Sequence, residues 1–238
     1  MARGAPSERP TLARFPLFRG LDGEEVHRLE RLCSWHRFEP RSLILDTDHH
    51  STDVFFVVSG LVRVWMPTLR RTDVILADIG AGELFGELAA IDGLPPLASV
   101  MALTATTVAS MPAIAFRNVI GQHLTVSNQV VRLLATRVRE LDARLWELST
   151  LSIRDRVRAE LLRLGRPRAD QPNHAIISPP PTHSELAARI SGHREAVTRE
   201  LKALERDGIL QRRRGALVLC DVAALAALLE KARARLNP

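Results

Sequence analysis

Three charged residues near the start of a predicted helix could hydrogen-bond to the edges of nucleic-acid bases. Arg194, Glu195 and Arg199 lie in the first two turns of a helix predicted over residues 193–206. A guanidinium donates two parallel hydrogen bonds to guanine O6 and N7, and a carboxylate accepts one from cytosine N4. Side chains at the start of a helix reach base edges when that helix enters the major groove. We therefore predict that these three residues read bases in double-stranded DNA.

The spacing of apolar residues places these side chains on the outward face of the predicted helix. Val197, Leu201 and Leu204 recur at helical intervals and predict a single buried face. The residues predicted to point outward are Arg194, Glu195, Thr198, Arg199 and Lys202. A charged helix face is often only solvated, so the assignment depends on the neighbouring elements.

A second short helix is predicted directly before this one, over residues 182–189. Its predicted buried residues are Leu186, Ala187 and Ile190. Thr182 and Glu185 have the spacing of a capping box, which marks the start of a helix. The turn Ile190-Ser191-Gly192 separates the two helices. Two short helices joined by a glycine-containing turn are typical of a DNA-binding helix-turn-helix.

The segment after the two helices supports the same interpretation. Residues 209–219 have the pattern of a β-hairpin wing, and a closing helix is predicted over residues 221–236 with Asp221 as its N-cap. Several polar and basic side chains are expected to contact DNA phosphates or to support those contacts. They are Thr182, His183, Ser184, Thr198, Lys202, Arg212, Arg213 and Arg214.

The distribution of charge also predicts a polyanionic partner. The 238 residues carry a net charge of +6. Residues 1–150 contain 16 basic and 17 acidic side chains, whereas residues 151–238 contain 17 basic and 10 acidic ones. The excess lies entirely in the last third of the chain, where it favours contact with nucleic acid. The alternative is a basic tail that is merely solvated.

A narrow apolar stripe runs along a long helix predicted over residues 125–151. Its members alternate at spacings of three and four residues over about two and a half heptads, as in a coiled coil. We name these six residues the seam: Val131, Leu134, Val138, Leu141, Leu145 and Leu148. The seam predicts a homodimer in which two such helices pack together. The alternative is an amphipathic helix that lies on its own domain.

Short β-branched runs alternate with turn signals between residues 37 and 111. The predicted strands are residues 42–45, 54–58, 61–66, 74–79, 100–103 and 106–111. Many short, evenly spaced strands are typical of a β-sandwich or small barrel. Gly60 predicts a tight hairpin between two of them. A short helix is predicted over residues 21–34, a flexible tail over residues 1–13 and a loop over residues 165–181.

Three segments resemble those of the Crp–Fnr family of bacterial transcription regulators. Residues 181–210 resemble the family's winged helix-turn-helix, and residues 55–64 resemble its central hairpin. Residues 84–93, Leu-Phe-Gly-Glu-Leu-Ala-Ala-Ile-Asp-Gly, resemble its nucleotide-binding cassette. The resemblance extends from Phe15 to the C-terminus, with the order and spacing of the motifs preserved.

The resemblance implies an α+β fold in three parts. These are a cyclic-nucleotide-binding-like β-barrel (a jelly roll) over residues 14–124, a dimerisation helix over residues 125–151 and a winged helix-turn-helix over residues 152–238. It implies a homodimer on a palindromic DNA site with half-sites about 10 bp apart. The arrangement of Arg194, Glu195 and Arg199 resembles that of the family's catabolite-activator subgroup, which implies TGTGA-like half-sites. RNA polymerase is a further expected partner if the protein is an activator. The alternative function is a sensor whose output is mainly protein contact.

The cassette departs from the family's pattern for cyclic AMP. The Arg and the hydroxyl residue that hold the cyclic phosphate in such members correspond to Pro96 and Leu97 here. Residues 72–116 contain no Lys or Arg and five acidic residues, so an anionic ligand would lack its usual guanidinium. We therefore expect no ordinary cyclic AMP binding, and the effector stays unknown. The candidate pocket residues are Gly86, Glu87, Leu88, Pro96, Leu97, Ala98, Ser99, Leu141 and Asp142.

Two alternatives stay open for this pocket. One of four long-helix arginines, Arg132, Arg137, Arg139 or Arg144, turns inward and replaces the missing cation, or the pocket is remodelled for another cyclic nucleotide or small molecule. Glu87 likewise has two possible roles. It contacts a ligand, or it has a structural role and hydrogen-bonds to nearby N–H groups.

Other function classes find little support. Cys33 and Cys220 cannot form a zinc site or a disulfide framework, which favours a reducing cytoplasm. His49 and His50 are expected in an exposed loop, and neither a metal nor another cofactor is expected. No nucleophile–base arrangement is found, so an enzyme is not expected. No run approaches the ~18 apolar residues of a membrane span.

Overall fold

The structure is a computed structural model that describes residues 11–48, 51–68 and 73–235. The chain divides into two compact units, one ending at Arg137 and the other beginning at Val138. The predicted loop at His49 and His50 and most of the predicted tail lie outside the described residues. No helix in the described ranges is long and apolar enough to cross a membrane.

Eight strands of the first unit form two antiparallel sheets of four. They are β1 (Ser34–Phe38), β2 (Leu43–Leu45), β3 (Val54–Ser59), β4 (Leu61–Met66), β5 (Val74–Gly80), β6 (Leu84–Phe85), β7 (Ser99–Ala102) and β8 (Thr106–Met111). One sheet has the order β1-β8-β3-β6 and the other the order β2-β7-β4-β5. Two four-stranded sheets in this arrangement form a jelly roll.

The core of the jelly roll is built from β-branched and aromatic residues of both sheets. Val57 and Val108 come from one sheet, Val62 and Val100 come from the other, and all four are buried. The rings of Phe55 and Phe85 stack within the same cluster, with centroids 5.0 Å apart. Burial of apolar surface of this kind supplies the main favourable free energy of folding.

The hairpin predicted at Gly60 is wrong. Strand β3 pairs with β8 and β6, whereas β4 pairs with β5 and β7, so Gly60 joins two strands of different sheets. Its φ of +91° is a conformation that favours glycine, and an added Cβ would lie 2.4 Å from Oγ1 of Thr106. The local sequence predicts the turn at Gly60, but it does not show which strands β3 and β4 pair with.

Three helices accompany the sheets, namely α1 (Gly23–Leu32), α2 (Glu87–Asp92) and α3 (Ala113–Gln122). Strand β1 and helices α2 and α3 were not predicted as separate elements. The predicted tail extends too far, because Leu12 begins a short 3-10 helix and is fully buried beside Phe15. An apolar side chain in a well-packed core belongs to the folded unit.

Helix α4 (Leu124–Thr150) is the predicted long helix. Val126 and Val130 near its start are buried in the core of the first unit, and Leu134 packs against that core. Leu134 therefore serves partly as core of its own unit, although the sequence placed it only in the seam. The other five seam residues are exposed.

The second unit contains four further helices and one antiparallel sheet of order β11-β12-β10-β9. The elements are α5 (Ile153–Leu164), β9 (Arg166–Arg168), β10 (Gln171–Ile177), α6 (His183–Arg189), α7 (Arg194–Arg206), β11 (Leu210–Arg213), β12 (Ala216–Leu219) and α8 (Val222–Ala234). Asp221 caps α8 as predicted, its Oδ1 accepting from the N–H of Ala224 at 2.8 Å.

The prediction of a loop over residues 165–181 is wrong for most of that segment. It contains β9 and β10, and Ala175 and Ile177 of β10 are buried in the core of the second unit. Prolines at both ends of the segment disguised the strands, since proline is common in loops and at strand edges.

Candidate nucleic-acid interface

Helices α6 and α7 form the predicted helix-turn-helix. The Thr182–Glu185 capping box is present: Thr182 Oγ1 accepts from the Glu185 N–H at 3.2 Å, and Glu185 Oε2 accepts from the Thr182 N–H at 2.6 Å. Gly192 is tightly packed in the turn, because an added Cβ would lie 3.2 Å from side-chain atoms of Ile153 and Ile190, and these side chains would have to shift by a few tenths of an ångström.

Helix α7, the recognition helix, has the buried face that its apolar spacing predicted. Val197, Leu201 and Leu204 are essentially fully buried, as are Leu186 and Ile190 of the preceding segment. Four of the predicted outward residues are exposed, and Thr198 is half-buried. The exposed residues are Arg194, Glu195, Arg199 and Lys202. The three candidate base readers therefore share one accessible side of the recognition helix.

A buried carboxylate fixes the recognition helix on α5. The Glu200 side chain is only 4% exposed and accepts from Arg158 Nε at 2.7 Å, while Arg154 Nε lies 3.3 Å away. The two guanidiniums offset the cost of burying this carboxylate, and they join the recognition helix to α5. Glu200 was not predicted from the sequence, although at ~100° per residue it lies about 40° from Leu204 on the helix surface.

A second ion-pair cluster ties α6 and the end of α4 to α5. The buried Glu160 pairs with Arg163 and lies 3.5 Å from Arg189, and Arg163 also donates to Glu147 at 2.7 Å. The first helix of the helix-turn-helix is thus held through charge as well as apolar packing. None of these four residues was singled out from the sequence.

The wing, formed by β11, the turn Arg214-Gly215 and β12, presents three exposed arginines. Strands β11 and β12 pair from Leu210 with Leu219 to Arg213 with Ala216, and Gly215 has a φ of +74°. The exposed arginines are the predicted Arg212, Arg213 and Arg214. The Arg212 guanidinium donates to the Glu205 carboxylate, which links the wing to the recognition helix.

His183 connects α6, the recognition helix and the wing. Its Nδ1 lies 2.6 Å from Thr198 Oγ1, and its Nε2 lies 2.8 Å from a terminal nitrogen of Arg212. Partial burial lowers the pKa of His183, and the nearby Arg212 and Arg194 lower it further. Ser184, also exposed, lines the same cleft of about 580 Å³ between the helices and the wing. Five of the eight predicted phosphate-contacting residues line this cleft, namely Thr182, His183, Ser184, Arg212 and Arg213, whereas Thr198, Lys202 and Arg214 do not.

The cassette carries an ion pair in place of a free carboxylate. Glu87 is 1% exposed and pairs with Arg137, whose other terminal nitrogen donates to the Leu84 carbonyl at 2.7 Å. Gly86 has a φ of +83°, and an added Cβ would lie 2.5 Å from the Asp53 carbonyl oxygen. Arg137 is therefore the long-helix arginine that pairs with Glu87 of the cassette. Glu87 thus accepts from a guanidinium 50 residues away in the chain, so this N–H partner is not local in sequence.

The remaining pocket candidates are dispersed. Leu97 is 70% exposed and Leu88 is also exposed, whereas Pro96 and Ala98 are half-buried. The Ser99 hydroxyl is buried and donates to Asp46 Oδ1 at 3.1 Å, and this bond lowers the pKa of Asp46. Leu141 and Asp142 are exposed on the part of α4 that belongs to the second unit.

The acidic side chains of the cassette region are largely engaged within the protein. Asp78 forms a bidentate pair with Arg63, with distances of 2.9 and 3.1 Å. Glu83 accepts from the Gly80 N–H and Asp92 accepts from the Leu94 N–H. Two of the five carboxylates in the run without Lys or Arg, Asp78 and Glu87, are therefore paired with arginines from outside it.

Two family models match this chain, one in each of its two compact units. The family model of the cyclic nucleotide-binding domain matches residues 35–123, and that of the Crp-like helix-turn-helix domain matches residues 155–228. The chain is 31% identical over 210 residues to the cyclic AMP receptor protein of Thermus thermophilus, covering 88% of this chain and 94% of that protein. The chain belongs to the Crp–Fnr family of transcription regulators. The predicted family is confirmed.

Other relatives of this Crp–Fnr regulator extend the comparison. A CRP-like cAMP-activated global transcriptional regulator of Mycobacterium tuberculosis is 24% identical over 216 residues, covering 90% of this chain and 96% of its own. The structure of FixK2 from Bradyrhizobium japonicum matches with a TM-score of 0.71 at 20% identity, covering 82% and 96% of the two chains. The predicted α+β fold is confirmed.

Among the residues that the structure describes, no cluster of three or more His, Cys, Asp or Glu side chains is arranged to hold a metal ion. The Cys33 thiol donates to the Leu29 carbonyl at 3.3 Å, and burial raises its pKa to about 12. A thiol in that state is a poor nucleophile and a poor metal ligand near neutral pH.

Proposed function

We propose that this regulator is a homodimer that reads a palindromic DNA site with TGTGA-like half-sites. The observation that carries the proposal is the exposed face of the recognition helix. Arg194, Glu195 and Arg199 are exposed on this face, while the apolar face of the same helix is buried. Arginine and glutamate at the start of such a helix supply base-specific hydrogen bonds. A protein of this kind acts on chromosomal DNA in the cytoplasm and, as an activator, would also contact RNA polymerase.

The exposed part of the seam supports the homodimer. Val131, Val138, Leu141, Leu145 and Leu148 are 41–64% exposed along one line of α4. Large apolar side chains in a continuous exposed stripe mark an interaction surface. A second copy of α4 offers the same stripe, and the heptad spacing lets two copies interlock as a coiled coil.

Fluorescence anisotropy with two labelled duplexes tests the DNA-binding function. One duplex carries two inverted TGTGA half-sites with centres ~10 bp apart, and the other carries the same bases in shuffled order. We expect tighter binding to the palindrome. Inserting about five base pairs between the half-sites should remove most of the preference, because it moves them to opposite faces of the helix. Equal binding to all three duplexes favours the alternative of a sensor with mainly protein contacts.

We further propose that cyclic AMP does not bind in the manner usual for the family. Pro96 offers neither a cation nor an N–H, Leu97 offers no hydroxyl, and the Arg137 guanidinium is already engaged by Glu87 and the Leu84 carbonyl. A cyclic phosphate in the cassette would therefore lack its charge-assisted hydrogen bonds. The alternative is a remodelled site for another cyclic nucleotide or small molecule.

Isothermal titration checks this expectation. Wild-type protein titrated with cyclic AMP and with cyclic GMP should give no saturable heat at micromolar concentrations. The double variant Pro96→Arg/Leu97→Ser is the matched comparison, because it restores the cation and the hydroxyl and should gain affinity for cyclic AMP. Micromolar binding by the wild type contradicts the proposal, and its loss in Arg137→Ala would identify Arg137 as the replacement cation.

A further inference from the structure

The hydrogen bonds around His183 define its protonation state in the absence of DNA. Thr198 Oγ1 donates to the Arg194 carbonyl at 2.9 Å, so it can only accept from the imidazole. Nδ1 of His183, 2.6 Å away, must therefore carry the proton and donate it. Nε2 accepts from the Arg212 guanidinium at 2.8 Å and carries no proton. In this arrangement the imidazole is neutral.

Mostly positive groups surround this neutral ring. Arg194 and Lys202 face it from the recognition helix, together with the opposing carboxylate of Glu205, and Arg212 faces it from the wing. Arg213 lines the same cleft. Partial burial and these cations disfavour a charge on the imidazole, and only Glu205 favours one. The ring is thus held neutral by groups that themselves attract phosphate.

A DNA phosphate that enters this cleft would favour the protonated form of the His183 imidazole over the neutral form. Its negative charge offsets that of Arg194 and Arg212, and a guanidinium makes stronger hydrogen bonds to phosphate than to a neutral imidazole. Once Arg212 donates to phosphate, Nε2 of His183 has lost its donor and is free to take a proton from water. The resulting N–H can donate to a phosphate oxygen, while Nδ1 keeps its bond to Thr198.

We propose that His183 is a proton-carrying phosphate ligand, neutral in the free protein and protonated on DNA, so that DNA binding takes up one proton at each His183 engaged. The inference rests on the proposed DNA-binding function. A group that is protonated more readily in the complex than in the free protein makes the complex tighter as the pH falls. The affinity stops rising once the pH is low enough for His183 of the free protein to be protonated as well.

The test measures the Kd for the palindromic duplex from pH 8.0 to pH 6.0 at constant ionic strength. We expect the wild-type Kd to fall roughly threefold to tenfold for each engaged His183, since a difference of one pKa unit between free and bound states changes an equilibrium tenfold. His183→Gln keeps a side-chain N–H donor but cannot titrate, so its Kd should not depend on pH. His183→Arg should bind tightly at pH 8.0 and lose the pH dependence.

His193→Gln is the matched control, because His193 precedes the recognition helix and is exposed. It should keep the wild-type slope. A second measurement needs no variant: titration calorimetry of wild type with DNA in two buffers of different ionisation enthalpy should show net proton uptake. A flat wild-type pH profile, a slope that persists in His183→Gln, or no proton uptake overturns the proposal. Equal affinity for palindromic and shuffled duplexes at every pH instead overturns the proposed function.

Discussion

Replacing Leu145 by glutamate is expected to convert the protein from a dimer into a monomer and to weaken binding to the palindrome at least a hundredfold. Leu145 is 64% exposed and lies between Leu141 and Leu148 in the exposed seam. In a two-fold coiled coil the two introduced carboxylates would face each other in an apolar contact. Burying unpaired charge costs several kcal/mol, and ~2.7 kcal/mol already corresponds to a hundredfold change.

Sedimentation velocity gives the oligomeric state of the Leu145→Glu variant, and anisotropy gives its affinity for DNA. Ala143→Glu is the matched control, because it adds the same charge on the same helix at an exposed position opposite the seam. The control should remain dimeric and bind like the wild type. A Leu145→Glu protein that stays dimeric at micromolar concentration would refute the role of the seam.

Replacing Arg199 by alanine is expected to cost about 1–3 kcal/mol on the palindromic site and to relax its sequence preference. Arg199 is exposed on the recognition helix, and within the part of the chain that the structure describes no carboxylate pairs with it. Its guanidinium is therefore available for a bidentate contact to guanine. Binding to shuffled DNA should weaken only by the loss of one positive charge.

Lys202→Ala is the companion variant for Arg199→Ala. Lys202 lies on the same exposed face one turn later, where an ammonium suits phosphate more than a base edge. Its loss should weaken palindromic and shuffled duplexes by a similar factor. Anisotropy titrations on both duplexes separate the two patterns. An Arg199→Ala protein that loses the same factor on both would assign Arg199 to phosphate contact rather than base reading.

The sequence predicted best those features that depend on neighbours in the chain. The buried face of the recognition helix follows from the spacing of Val197, Leu201 and Leu204, and the start of α6 follows from Thr182 and Glu185. Both are set within two turns of helix, so no distant contact can override them easily. The strands of the jelly roll were placed for the same reason, since β-branched runs between turn residues form extended segments.

Features that join distant segments could not be predicted in the same way. Glu87 and Arg137 are 50 residues apart, and nothing in the sequence distinguishes Arg137 from the other three arginines of the long helix as an inward candidate. The corner at Gly60 has the local pattern of a hairpin, and only the wider pairing of β3 and β4 shows that it is not one. The count of charges along the chain likewise could not predict the Arg63–Asp78 pair, because ion pairs form between residues that are close in the fold and not necessarily in the sequence.

The most direct test of sequence-specific reading is the ratio of two wild-type dissociation constants, measured for the shuffled and the palindromic duplex at physiological salt. Specific binders of this kind prefer their site by roughly 10³ or more, whereas binding through phosphate charge alone gives no preference. We predict a ratio of at least about 10³ for this regulator. A ratio near one would contradict the account, because the exposed face of Arg194, Glu195 and Arg199 would then read no bases.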